Sequence, residues 1–207
     1  ATLAEYGNEY LVRTGFEEKW SQEEIQKFRD GTDPRYPNTD WVDAVIKNFS
    51  TQESANLNIR GGSENMRYSL SGSFQHKGDI LKGGIHDFKG YTVRSNIDSD
   101  VSKYITLSLD MNVGFDRQVE PAYSSWYYNR AMNPQYPVYY PGGYYSDPPS
   151  DYGNHPLLVN SGGGGDEKQD DKRFTGKLSY DVKIPWVEGL GIDGYFVYNE
   201  SNYFRKY

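Results

Sequence analysis

The chain contains no cysteine. Disulfide scaffolds, thiolate-bound zinc and thiol nucleophiles are therefore excluded. The same absence suits an oxidising compartment as well as any other and localises nothing. No apolar run approaches the ~18 residues of a transmembrane helix. Ala1 opens directly into helix-like sequence with no signal-peptide pattern, so the expectation is a mature, trimmed or partial chain. Aliphatic residues are scarce: hydrophobic residues make up 36% of the 207, and mean hydropathy is −0.85. That is thin for an ordinary globular core, although the length suffices for one domain or two small ones. A net charge of −7 argues against nucleic acid as a partner.

What is present is tyrosine, 20 of them, and glycine, 22, laid over strict alternation. In 52–78, Ala55, Leu57 and Ile59 alternate with Asn56, Asn58 and Arg60. Met66, Tyr68, Leu70, Gly72 and Phe74 then alternate with Arg67, Ser69, Ser71, Ser73 and Gln75. A period of two sends neighbours to opposite faces of a strand, and the short Gly-rich link at 61–65 makes an antiparallel hairpin. One face is apolar; the other is small and polar.

Residues 1–51 read as a helical and looped segment. Leu3, Tyr6, Tyr10 and Leu11 fall at helical spacing. Ser21 and Glu24 form a capping box before Ile25 and Phe28, with Gly31 as the stop. Thr39 or Asp40 caps a further helix carrying Trp41, Ala44, Val45 and Phe49. Residues 52–207 read as strands. After a loop at 78–88, strands are expected at 89–98, 103–116, 172–184 and from 190 onward. Asp98, Ser99 and Asp100 make a turn, as do residues 185–189. On the fourth strand Ile105, Leu107, Leu109, Met111, Val113 and Phe115 face one way. Thr106, Ser108, Asp110, Asn112, Gly114 and Asp116 face the other.

The connections alternate short and long: 61–65, 78–88, 98–102, 117–171, 185–189. In a meander this puts the short turns at one end and the long loops at the other, the asymmetry of outer-membrane barrels. The fold expected is all-β, an antiparallel meander forming part of a transmembrane β-barrel, with short helices in the N-terminal external segment. The apolar face would meet lipid and the polar face a wet lumen. About six strands are too few to close alone, because single-chain barrels begin at about 8. The alternative is a soluble, surface-exposed carbohydrate-binding β-sandwich with one solvated face.

Four ordered motifs sharpen the reading: YPNTDW at 36–41, NLNIRGGSE at 56–64, YSLSGSF at 68–74 and YTVRSNID at 91–98. Together they resemble the SusC/RagA family of TonB-linked outer-membrane receptors of the Bacteroidetes. The resemblance covers about residues 20–116 well, 172–200 in pattern only, and 117–171 only as a loop. It implies a barrel of about 22 strands closed by an N-terminal plug, most of which is absent here. It also implies an outer-membrane location and a SusD-like surface lipoprotein that lids the barrel. Energy would come from TonB, acting through the missing plug region, and the cargo would be glycans or, in some members, peptides.

Catalytic chemistry is thin, and no enzyme, cofactor or metal site is expected. His76, His86 and His155 read as isolated strand or loop residues. Asp98/Asp100 and Asp170/Asp171 read as solvated turn acids. No calcium-loop spacing, nucleophile elbow or phosphate loop is present. The long loop at 117–171 is different. Tyr123, Trp126, Tyr127, Tyr128, Tyr136, Tyr139, Tyr140, Tyr144 and Tyr145 crowd it, among Pro134, Pro137, Pro141, Gly142 and Gly143. Aromatic rings can stack on sugar faces, anchor a partner or pack on one another. Ligand or partner contact is assigned to Trp126, Tyr127, Tyr128, Tyr139, Tyr140, Tyr144 and Tyr145, with Trp126 the expected anchor. The stretch 123–152 is expected to be ordered by ring packing. Residues 162–165 are expected to be a flexible tether, and 162–171 a disordered arm.

Overall fold

The computed structural model describes residues 1–123, 132–147 and 155–207. They form two compact units. One comprises Ala1–Phe49, Ile80–Ile85 and Pro121–Gly165; the other comprises Ser50–Asp79, His86–Glu120 and Asp166–Tyr207. The division differs from a simple split at residue 51, because two later segments join the N-terminal helices. Lys82 N–H donates to the Val45 carbonyl at 2.7 Å, and Thr39 N–H to the Pro134 carbonyl at 2.9 Å.

In the first unit, α1 (Thr2–Arg13) buries Ala4 and Asn8, not the stripe of Leu3, Tyr6 and Tyr10, which is exposed. The reason is polar. Asn8 Oδ1 accepts from the backbone N–H of Lys19 and of Trp20, both at 3.0 Å, and its Nδ2 donates to the Trp20 carbonyl at 2.6 Å. Three backbone groups are thereby satisfied by one buried amide. Helix α2 (Gln22–Asp30) has the expected capping box and ends on Gly31 at φ +64°. Its Ile25 and Phe28 pack with Ala4 as a small core flanked by Trp20 and Tyr36. Helix α3 (Trp41–Val45) is capped by Asp40 and buries Trp41 and Val45. It stops before Phe49, because Ile46 turns extended and bridges Leu81. Helix α4 is Pro156–Asn160.

The second unit is one open sheet of six antiparallel strands in sequence order: β1 (Gln52–Gly62), β2 (Met66–Lys77), β3 (Asp87–Ser102), β4 (Ile105–Pro121), β5 (Asp166–Lys183) and β6 (Gly191–Lys206). The connections 63–65, 103–104 and 184–190 lie at one end of the strands, and those after β2 and β4 leave from the other. Strand ends extend past the expected boundaries. Asp98 and Asp100 stay in β3, because Ser108 Oγ and Thr106 Oγ1 on β4 donate to them at 2.6 and 2.8 Å. The turn instead falls at Lys103 and Tyr104, past a register shift between Asp100 and Ser102.

The acidic start of β5 is ladder as well, not a disordered arm. Arg117 Nε and its terminal nitrogen grip Asp170 at 2.7 and 2.8 Å, and Arg173 pairs with Asp116. Charges that read as solvating are neutralised across neighbouring strands. Residues 162–165 are likewise a tight turn, not a tether. Gly162 and Gly165 hold φ +77° and +105°, and Gly165 N–H closes on the Gly162 carbonyl at 2.9 Å. A Cβ on Gly163 would strike the Leu158 side chain.

The two faces are as the alternation requires. Phe74, Tyr91 and Phe115 stand abreast on β2, β3 and β4, followed by Gly72, Val93 and Val113, then Leu70, Ser95 and Met111, then Tyr68, Ile97 and Leu109. Nothing among the described residues of this unit covers that face; Leu107 is 38% exposed and Phe196 67%. Among the described residues, the buried hydrophobic side chains (Ala4, Ile25, Phe28, Trp41, Val45, Leu81 and Val159) belong to the first unit. The sandwich alternative needs a second sheet over Leu107 and Leu109, and the described strands form a single sheet.

Candidate functional site: an aromatic groove and a polar wall

The described part of the long connection is built around a hairpin. Tyr139 and Tyr145 bridge, and Tyr140 N–H donates to the Tyr144 carbonyl at 2.8 Å. Pro141 and Gly142 occupy the middle of the turn, which Gly143 N–H closes on the Tyr140 carbonyl at 3.0 Å. Pro presets the second position and Gly142, at φ +101°, supplies the left-handed third, the type II arrangement. Three hydrogen bonds hold the preceding residues to α3: the Thr39 N–H bond described above, Thr39 Oγ1 to the Tyr136 carbonyl at 2.7 Å, and Trp41 Nε1 to the Asn133 carbonyl at 3.0 Å. The YPNTDW motif is thus structural, since its Thr and Trp clamp the aromatic loop.

Behind the hairpin sits His155, 3% exposed. Its Nε2–H donates to the Val138 carbonyl at 2.9 Å, and its Nδ1 accepts the Leu157 N–H at 3.2 Å, capping α4. That pair of bonds fixes the neutral Nε2–H tautomer. Its ring centre lies 4.7 Å from that of Tyr145, 5.3 Å from Trp41 and 6.4 Å from Tyr139. Burial holds the His155 imidazole below its ordinary value, against the smaller opposing pull of the Val138 carbonyl. Burial raises the Tyr139 phenol, with Tyr145 adding to it.

An open groove of about 430 Å³ runs beside this cluster, lined by Ala44, Lys82, Gly83, Val138, Tyr139, Tyr145, Leu157 and Ser161. Tyr139 and Tyr145 are therefore brought together on one wall. Tyr140 and Tyr144 are exposed at the hairpin tip, Tyr144 at 75%. Trp126, Tyr127 and Tyr128 lie outside the described residues. Sequence reading missed His155, Ala44, Lys82 and Leu157 as site residues. The one available signal was HPLL at 155–158, a polar residue before Pro at a helix start.

The second feature is the polar face of the sheet. Asn96 donates to Asp110 at 2.5 Å and Arg94 Nε to Asn112 at 3.3 Å. A shallow recess of about 400 Å³ is lined there by Asn56, Asn58, Ser71, Ser73, Thr92 and Arg94. Small hydroxyl and amide side chains leave room and offer both donors and acceptors, which suits a wet, hydrogen-bonding ligand path. Among the described residues, no three His, Asp or Glu side chains gather as a metal site.

No family model and no curated protein matches the chain. Its fold is similar to that of a chain in a solved structure of the RagAB peptide transporter, with a TM-score of 0.64 at 12% identity. The likeness covers 98% of this chain and 25% of that one. This chain thus spans about a quarter of the length of that relative, and the likeness speaks for the fold.

Proposed function

We propose that this chain is a wall segment of a TonB-dependent outer-membrane importer that works with a SusD-like lid lipoprotein. The carrying observation is the sheet: six in-order antiparallel strands with one continuous uncovered apolar face and one polar face. The apolar stretch 105–115 on β4 matches the ~9–11 residues that a tilted strand needs to cross a bilayer. It is bounded at the long-connection end by the aromatic row Phe74, Tyr91 and Phe115, then by the charged row Glu53, His76, Lys89 and Arg117. At the short-turn end Tyr180 lies over Gly194. Aromatic rows flanking an apolar band are how barrels meet the two interfaces. The fold likeness to a transporter chain supports the same reading.

The aromatic groove is the proposed contact for cargo or lid, with Trp126, on sequence grounds, as a further anchor. Peptide cargo is favoured over glycan. The groove lining is mainly aliphatic and aromatic side chain, which suits apolar side chains of a peptide, and the similar structure is of a peptide transporter. The test is Tyr145→Ala in the intact receptor. Loss of a buried aromatic anchor costs about 2 kcal/mol or more in binding. Lid co-purification or peptide uptake should fall roughly 30-fold while the barrel still assembles. Normal retention and normal uptake of both peptides and glycans would refute the assignment.

A further inference from the structure

His155 touches the groove at four points. Of the eight lining residues, Val138 receives its Nε2–H, Leu157 donates to its Nδ1, and Tyr139 and Tyr145 pack on its ring. His155 thus ties the hairpin and α4 to one ring. We propose that His155 is an acid-sensitive positioning residue: its neutral ring assembles the aromatic groove, and its protonation releases the hairpin from α4. The proposal rests on the groove being the contact site for cargo or lid.

The chemistry is one of donors and acceptors. A proton on Nδ1 converts the acceptor of the Leu157 N–H into a second donor, so two N–H groups face each other at 3.2 Å. The α4 cap is lost, and the ring must rotate or leave. The surrounding rings would attract an imidazolium, but cation–π attraction is a weak term. It opposes both the lost cap and the desolvation of a charge. The titratable groups against the ring are the Tyr139 and Tyr145 phenols. On α3, which contributes Trp41, Asp40 caps the helix and Asp43 pairs with Lys82. No described carboxylate is hydrogen-bonded to the imidazole to balance its charge.

The sign follows from linkage. A histidine depressed in the closed state favours that state fully above its free value of ~6.5. That advantage falls up to tenfold per pH unit as pH drops between the free value and the lower closed-state value. Hydrogen–deuterium exchange on the intact receptor, corrected for intrinsic rates, reads this directly. From about pH 7.5 to about pH 5, residues 138–146 and 157–161 should lose protection progressively, while 105–115 keeps its own. His155→Asn, which still caps a helix but does not titrate, should abolish the pH dependence. Constant protection in the natural protein, or an equal loss in the variant, overturns the proposal. Should the variant fail to assemble, the natural protein's curve decides alone. A midpoint below ~6.5 and above the carboxylate range upholds the proposal, and a loss confined to the carboxylate range overturns it. Lid and cargo retention measured on the same samples separates the two readings. Protection that titrates while retention does not would sink the groove's proposed role and leave the switch intact.

Discussion

Leu109 is the most informative position on the sheet. It lies on β4 opposite Ile97, with Tyr68 beyond, in the middle of the apolar stretch 105–115. If that stretch crosses the bilayer, Leu109→Arg places a charge near mid-membrane, at a cost of about 2–4 kcal/mol. The folding equilibrium constant at a fixed denaturant concentration should then fall by roughly 30- to 900-fold. Ser73→Arg is the control. Ser73 sits on the polar face between Asn56 and Thr92, is exposed, and lines the shallow recess there. An arginine there meets other polar groups and should cost within about 0.5 kcal/mol, as surface changes do. The assay is urea titration of the intact receptor refolded into lipid vesicles, following the heat-modifiable gel shift of a folded barrel. Equal midpoints for the two variants would refute the assignment of faces, as would a larger loss at Ser73.

Two further outcomes test the local readings. Ser21→Ala removes the hydroxyl that accepts the Glu24 N–H at 3.2 Å and donates to the Glu24 carboxylate at 3.0 Å, and should cost about 1 kcal/mol of local stability, seen as faster amide exchange in α2 alone. Arg117→Ala breaks a bidentate pair with Asp170, but the arginine is 53% exposed. The expected loss is therefore small and shrinks with added salt; a salt-independent loss would show that the pair is shielded from water.

Much of the sheet was legible because its signal is local. Six runs of alternation named six strands, and the order of short and long links named the meander. What was not legible depends on cross-strand partners. Asp98 and Asp100 read as a turn until Ser108 and Thr106 arrive from β4. Asp170 reads as solvated until Arg117 is beside it. The helix α1 was visible in its spacing, but its buried face was not. Its buried polar residue is Asn8, and an amide that satisfies distant backbone carries no periodic signal. The groove was half legible: Tyr139 and Tyr145 stood out by composition, whereas His155 gains its meaning only from Val138 and Leu157.

The most direct test of the central claim uses the absence of cysteine. Single cysteines at Leu107 and at Ser73 in the intact receptor, each carrying an environment-sensitive fluorophore, report on the two faces in lipid vesicles. The expected result is a blue-shifted probe at 107, quenched by lipids brominated along the acyl chain, and a probe at 73 untouched by them. A probe at 107 that lipid does not quench would show that this face is covered by protein or water, and the membrane-wall account would be wrong.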